Sequence, residues 1–300
     1  MNLPFFSIII PTYNRAHTIR TPIDSILNQT FSDWELIIVD DGSTDNTKEI
    51  VLSYNDPRIR YVWQGNQERS AARNHGISLA KGEWICFQDS DDEYLQEHLE
   101  VLYQSITESP DYRVIKTGLI VYQHGIEIAR TDMKPTSRYD SFPYQSIHTT
   151  CLHHSIFLDF KFDDRFFIAE DLHFLIKVGT KYPVIVLPKW TAIYHYDMYS
   201  SGGIGEKYAI NLANQRLCLD DILMWNHSLL LPNIRRKRCL NPILLLAGHF
   251  KNNKALVPKA IFDNISTFFR FPLAYGVTIF RIIYVKAGEL TGLYRTKNRF

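Results

Sequence analysis

Four apolar, strand-favouring residues, Trp84-Ile85-Cys86-Phe87, run directly into three acids, Asp89, Asp91 and Asp92. A short apolar run of this kind reads as a buried strand, with the acids at its carboxyl end. In open α/β sheets that edge is where ligands bind. Residues two apart in an extended segment point to the same side, so Asp89 and Asp91 can share a target. Two converging carboxylates repel unless a cation lies between them. Oxygen donors suit a hard divalent ion, Mg²⁺ or Mn²⁺. The competing reading is a solvated turn in which Asp91 or Asp92 caps a helix from Glu93 to Ile106.

The rest of the N-terminal third repeats the pattern. Phe6 to Ile10 is a β-branched run stopped by Pro11, and Trp34 to Val39 is a second strand ending in Asp40 and Asp41. Asn14 is placed to cap a helix from about Ala16 to Gln29. Ser43, Thr44 or Asp45 is placed to cap one reaching Tyr54. Arg58 to Trp63 reads as a third strand and Ser70 to Lys81 as a helix. Strand and helix alternating at this pitch predict a mostly parallel α/β sheet flanked by helices. Residues 1–106 read as one nucleotide-binding-like unit. Residues 107–210 read as a second half that holds the second substrate. They hold a hairpin (Tyr112 to Tyr122 and Ile126 to Asp132), a helix from Leu172 to Tyr182 and a strand from Val184 to Leu187.

Residues 211–300 are read as a helical, basic extension. From Pro232 onward thirteen Lys and Arg face two acids, so the net charge of +1 hides an acidic body and a basic tail. The most apolar part, Phe268 to Val285, is interrupted by Arg270, Pro272 and Arg281, too short a run to span a bilayer. Basic residues among Phe, Leu, Ile and Tyr suit a helix lying on an anionic membrane surface. The alternatives are a basic subdomain packed on the body or a nucleic-acid contact. The membrane reading is preferred and no nucleic-acid partner is expected. Four scattered cysteines without C-x-x-C spacing, and a start without a basic n-region, point to a reduced compartment and no signal peptide. The expected location is the cytoplasm, on the inner face of the cell membrane.

Taken together, Asp40, Asp41, Asp89, Asp91 and Asp92 converge on one sheet edge. Ionised carboxylates accept hydrogen bonds, which matches the N–H and O–H groups of a base and a ribose. A diphosphate needs a metal before it can approach them. One ligand satisfies both demands: a nucleoside diphosphate with its cation. Arg69 and Arg73 add positive charge nearby, for the ligand or for these acids.

Four segments in this order and spacing, Ser7-Ile8-Ile9-Ile10-Pro11-Thr12-Tyr13-Asn14, Val39-Asp40-Asp41-Gly42-Ser43-Thr44-Asp45, Ala72-Arg73-Asn74 and Asp89-Ser90-Asp91-Asp92, resemble glycosyltransferase family 2. The resemblance is dense over residues 5–95 and does not extend to the tail. It implies an A-type glycosyltransferase fold and inverting transfer from a nucleotide sugar, UDP-linked in the first instance. The acceptor hydroxyl would belong to a surface polysaccharide or lipid-linked glycan. It also implies a donor site of Pro11, Tyr13, Asn14, Asp40, Asp41, Arg69, Arg73 and Asp89. The metal ligands would be Asp91 with Asp89 and Asp92. The family's acid pair falls at Glu170-Asp171, with Asp171 as the base and Glu170 supporting it. The competing reading of that pair is a helix N-terminus, where acids are favoured in any case.

One segment departs from the family pattern. Where relatives carry Tyr-Arg-x-His, this chain has Tyr194-His195-Tyr196-Asp197, so either His195 or Asp197 stands near the metal or the segment is purely structural. His153 and His154 are read as ordinary structural histidines. An aspartyl-phosphate phosphatase needs alternating acids where Asp40 and Asp41 are adjacent. A pyrophosphorylase needs a glycine-rich loop where Pro11 to Asn14 has none. A non-catalytic nucleotide- or carbohydrate-binding protein of the same fold is the alternative to a transferase.

Overall fold

β1 (Phe6–Thr12) lies at the centre of the parallel part of the sheet, with Ile8 and Ile10 entering one core and Ile9 the other. In this computed structural model, residues 3–131, 147–196 and 221 are described. The chain divides into two units, Met1–Gly203 and Ile204–Phe300. All the elements below belong to the first.

β1 pairs in parallel with β2 (Trp34–Asp40) on one side and β4 (Trp84–Phe87) on the other, and β3 (Ile59–Trp63) adds beyond β2. Beyond β4 the sheet becomes mixed. β8 (Thr150–His153) runs antiparallel to β4 and to β6 (Val114–Gln123). β9 (Val184–His195) runs parallel to β6, and β5 (Glu93–Tyr94) closes the edge antiparallel to β9. The order is β3-β2-β1-β4-β8-β6-β9-β5, and β7 (Ile126–Arg130) pairs with β6 as a hairpin.

Helices cover both faces. Ile19, Ile23 and Ile26, from α1 (Arg20–Leu27) and the residue before it, join Leu99 and Leu102 of α4 (His98–Glu108) against Ile8, Ile10 and Cys86. On the other face Ala72 of α3 (Glu68–Leu79) and Phe174, Leu175 and Val178 of α6 (Glu170–Lys181) pack on Ile9, Ile37, Ile85 and Phe87. Each fully buried Ile, Leu, Val or Phe among them contributes roughly 1.5–3 kcal/mol. Two short helices, α2 (Thr47–Leu52) and α5 (Ile156–Asp159), and a 3-10 turn at Ile147–Thr149 complete the described elements.

The helix expected from Glu93 starts only at His98. Glu93 and Tyr94 are extended because they pair with Ile193 and Ala192 of β9, and the Tyr94 hydroxyl donates to the Phe87 carbonyl at 2.7 Å. Asp91 and Asp92 therefore cap no helix. β9 is three times longer than the strand expected at Val184 to Leu187 and takes in Tyr194 and His195. Asn14 also caps nothing, because α1 begins six residues later. Asp197, the stretch around Pro135 and Pro143, and the basic tail lie outside the described residues. Among the described residues no helix is long and apolar enough to cross a membrane.

Candidate active site

Because β1, β2 and β4 are parallel, their carboxyl ends meet at one edge. There Pro11, Thr12, Tyr13, Arg15, Asp41, Arg69, Arg73, Asp89, Ser90 and Asp91 line a cleft of about 350 Å³. The loops after β1 and β2 are clamped together. The Asn14 N–H donates to Ser43 Oγ at 2.9 Å, and Asn14 Oδ1 accepts from the Thr44 N–H at 2.8 Å. Asn14 sits at φ +52°, a conformation its short amide tolerates. Its role here is to hold the loop, and it does not line the cleft.

The two acids after β2 are used differently. Asp40 is fully buried and accepts from the Ser43 N–H at 2.8 Å and the Tyr61 hydroxyl at 2.6 Å, so both oxygens brace the turn. Gly42 makes that turn possible at φ +88°. Asp41 faces the cleft. It accepts from Gln64 Nε2 at 2.7 Å and the Gln67 N–H at 2.9 Å, both on Oδ1.

After β4 the charges crowd. Burial would raise the Asp89 pKa, but a hydrogen bond from His148 and the charges of Arg73, His148 and Arg69 hold the carboxyl well below the usual range. Asp91 goes the other way: burial and the Asp89 charge raise it against the pull of Arg15. Asp92 is pushed up to about 7, by burial first and then by Asp89 and Asp91, although His148 opposes this. Its Oδ1 accepts from the His195 N–H at 2.9 Å, while Oδ2 is buried without a hydrogen bond. His148, fully buried, brings Nδ1 to 3.5 Å from Asp89 and 3.6 Å from Asp92. Burial lowers its pKa, and the three surrounding carboxylates more than reverse that, favouring the imidazolium.

Asp89, Asp92 and His148 offer ligand atoms within 4.8 Å of one another, and Asp91 lines the adjoining cleft. The carboxylate oxygens, including an orphaned buried oxygen on Asp92, fit a hard divalent cation. The His195 ring turns elsewhere, onto Glu93 Oε1 at 3.0 Å.

Arg73 joins this cluster to the second acid pair. It is almost wholly buried on α3, with NH1 2.7 Å from Glu170 Oε1 and NH2 3.1 Å from Asp89 Oδ1. Arg69, one turn earlier, approaches Glu170 at 3.9 Å and lines the cleft. Asn74 clamps the approach to α6: Nδ2 donates to the Phe162 carbonyl at 2.8 Å and Oδ1 accepts from the Phe162 N–H at 3.1 Å. Ala169, at φ +61°, turns the chain so that Glu170 and Asp171 open α6. Neither acid lines the cleft itself. Asp171 accepts from the Leu172 N–H at 2.7 Å, and burial, then the Glu170 charge, pushes its pKa up to about 7 against Arg73.

Sequence reasoning missed three buried or cleft residues. Lys116 is buried on β6, lowered to about 8 by burial and pulled back up by the Asp171 charge. A lysine inside the apolar run Val114 to Leu119 was a legible signal. Arg15 follows Asn14 in the first motif. His148 follows a stretch without periodicity and carried no signal.

The family description "Glycosyl transferase family 2" matches residues 7–166. The chain belongs to glycosyl transferase family 2. Among curated relatives, this family 2 chain is 30% identical over 210 residues to the amylovoran biosynthesis glycosyltransferase AmsB of Erwinia amylovora. That match covers 63% of this chain and 69% of AmsB. It is 44% identical over 96 residues to WfgD of Escherichia coli, a UDP-Glc:α-D-GlcNAc-diphosphoundecaprenol β-1,3-glucosyltransferase. That match covers 32% of this chain and 38% of WfgD. The fold matches Staphylococcus aureus TarS 1–349, solved with UDP-GlcNAc, at a TM-score of 0.64 and 23% identity, over 90% of this chain and 81% of that one. It also matches the Pyrobaculum calidifontis mannosyltransferase PcManGT, solved with GDP-Man and Mn²⁺, at 0.60 and 17% identity, over 98% and 82%. The architecture is thus the A-type glycosyltransferase fold.

Proposed function

We propose that the protein is an inverting glycosyltransferase. It moves a sugar from a nucleotide donor, UDP-linked in the first instance, to a hydroxyl of a lipid-linked or surface glycan. The observation that carries the reading is the Arg73 bridge. It ties Asp89 in the cleft to Glu170, whose neighbour Asp171 is a carboxyl with a proton affinity near neutrality. The name and acceptor of WfgD support the donor and acceptor classes.

The chemistry follows from the groups present. Pro11 and Tyr13 offer surfaces for a base and Asp41 an acceptor for its N–H groups. Asp89, held ionised, accepts from ribose hydroxyls. Asp91, with Asp89 and Asp92, would hold the cation. When bound, a divalent cation stabilises the charge that builds on the departing diphosphate. Asp171 takes the acceptor hydroxyl's proton as oxygen attacks the anomeric carbon from the opposite face. A base with a pKa near the working pH is both ionised often enough and basic enough to do so. Glu170 holds Arg73 and raises its neighbour. The basic tail is proposed to keep the enzyme on an anionic membrane surface where lipid-linked acceptors reside.

The test is the stereochemistry of the product. A panel of UDP-sugars should be offered with lipid-diphosphate glycan acceptors, and the new linkage read by proton NMR. An α-linked donor should give a β-linked product. An α product would overturn single displacement, and donor binding without any transfer would favour the non-catalytic reading.

A further inference from the structure

Arg15 lines the same cleft on the side of Asp91, with its side chain about one-third exposed (35%). Its NH2 lies 3.7 Å from Asp91 Oδ2, an ionic approach too long for a hydrogen bond. Its backbone is fixed: the N–H donates to Thr47 Oγ1 at 2.9 Å, and the carbonyl accepts from the N–H groups of Thr18 and Ile19 at 3.0 and 2.9 Å. The neighbouring Ala16 N–H donates to Asp45 Oδ2 at 3.0 Å. The base of the side chain is therefore anchored while its guanidinium is loosely held. Arg73, by contrast, has both terminal nitrogens committed to carboxylates.

Resting on the donor-site reading above, we propose that Arg15 is a donor-binding residue that exchanges partners. It neutralises Asp91 when the cleft holds neither metal nor nucleotide, and turns to the donor's diphosphate once a cation takes Asp91. In this structure Arg15 is the cation that faces Asp91, with NH2 against Oδ2. A bound dication replaces that influence and frees the guanidinium. A diphosphate carries more negative charge than one dication cancels, and a guanidinium matches phosphate oxygens bidentately.

The exchange predicts effects of opposite sign from one substitution. Mn²⁺ binding by the full chain should be measured by electron paramagnetic resonance without nucleotide. UDP and uridine binding should be measured by calorimetry with saturating Mn²⁺. Arg15→Gln removes a competitor for Asp91, so Mn²⁺ alone should bind about two- to fivefold more tightly. UDP should bind on the order of tenfold more weakly, and uridine as in the wild type. Arg15→Lys restores the charge without the fork, so Mn²⁺ affinity should return while UDP recovers only in part. If both affinities move in the same direction, or neither moves, the exchange is wrong. If the wild type binds neither Mn²⁺ nor UDP, the donor-site reading falls and the inference with it. Wild-type binding of both with an unaltered Arg15→Gln protein sinks the inference alone.

Discussion

Arg73 stands between Glu170 and Asp89, and Arg73→Met would leave both carboxylates facing each other in a buried site. Breaking such a pair from one side costs about 3–5 kcal/mol. Urea unfolding should show a loss of that order, with Arg73→Lys recovering only part because one ammonium does not span both acids. Asp171 has the opposite effect on stability. Its folded pKa is about 7 against an ordinary 3.8, so the folded state binds the proton more tightly. The stabilisation this gives is complete below about pH 4 and is lost as pH rises to about 7. Asp171→Asn should therefore raise the melting temperature at pH 8, by the equivalent of up to about 4 kcal/mol, and leave it unchanged at pH 4. A gain at both pH values would contradict the raised pKa. Transfer by the wild type should fall as pH drops through about 7. At this scale the sequence located the acids but not the hydrogen bonds that each one makes. Asp40 and Asp41 are adjacent and chemically identical, and only the register of β1 and β2 makes one a brace and the other a cleft residue.

The Ala72-Arg73-Asn74 segment shows how one helix places the site. Asn74→Ala removes two hydrogen bonds to the Phe162 backbone and should cost about 1–3 kcal/mol. It should also lower kcat more than donor affinity, because the chain it clamps leads to Asp171 while Asp41 and Asp91 are untouched. Equal losses in both would place the damage in the whole fold. Gly82 is under a different constraint: an added Cβ would lie 2.5 Å from the Ser7 N and 2.7 Å from the Phe6 carbonyl carbon. Both are backbone atoms that cannot step aside, so Gly82→Ala should destabilise by several kcal/mol or prevent folding, seen as loss of soluble protein. The parallel strands were legible because each is a short apolar run buried on two faces. β5 was not legible. Glu93 and Tyr94 are two residues whose extended state depends on β9, a hundred residues later, and local propensity carries no information about that pairing. The same long-range pairing drew Tyr194 and His195 into β9.

For the whole molecule, the parallel half from β3 to β4 builds the edge that carries the cleft. The mixed half supplies His148, Lys116 and the acid pair. The first half announced itself through four ordered motifs. The second was opaque because its strands pair in both directions and across long separations, so periodicity alone did not order them. The account joins both halves into one centre: a cation and donor held by Asp91 and its neighbours, and a base at Asp171. Nucleoside diphosphate release from a panel of nucleotide sugars, with lipid-linked acceptor and Mn²⁺ or Mg²⁺, tests that centre most directly. The account predicts metal-dependent release from one donor by the wild type. Asp91→Ala should lose both release and metal-dependent donor binding. Asp171→Asn should lose release by at least about a hundredfold while still binding donor. Undiminished release by Asp171→Asn, or release indifferent to metal and to Asp91, would contradict it.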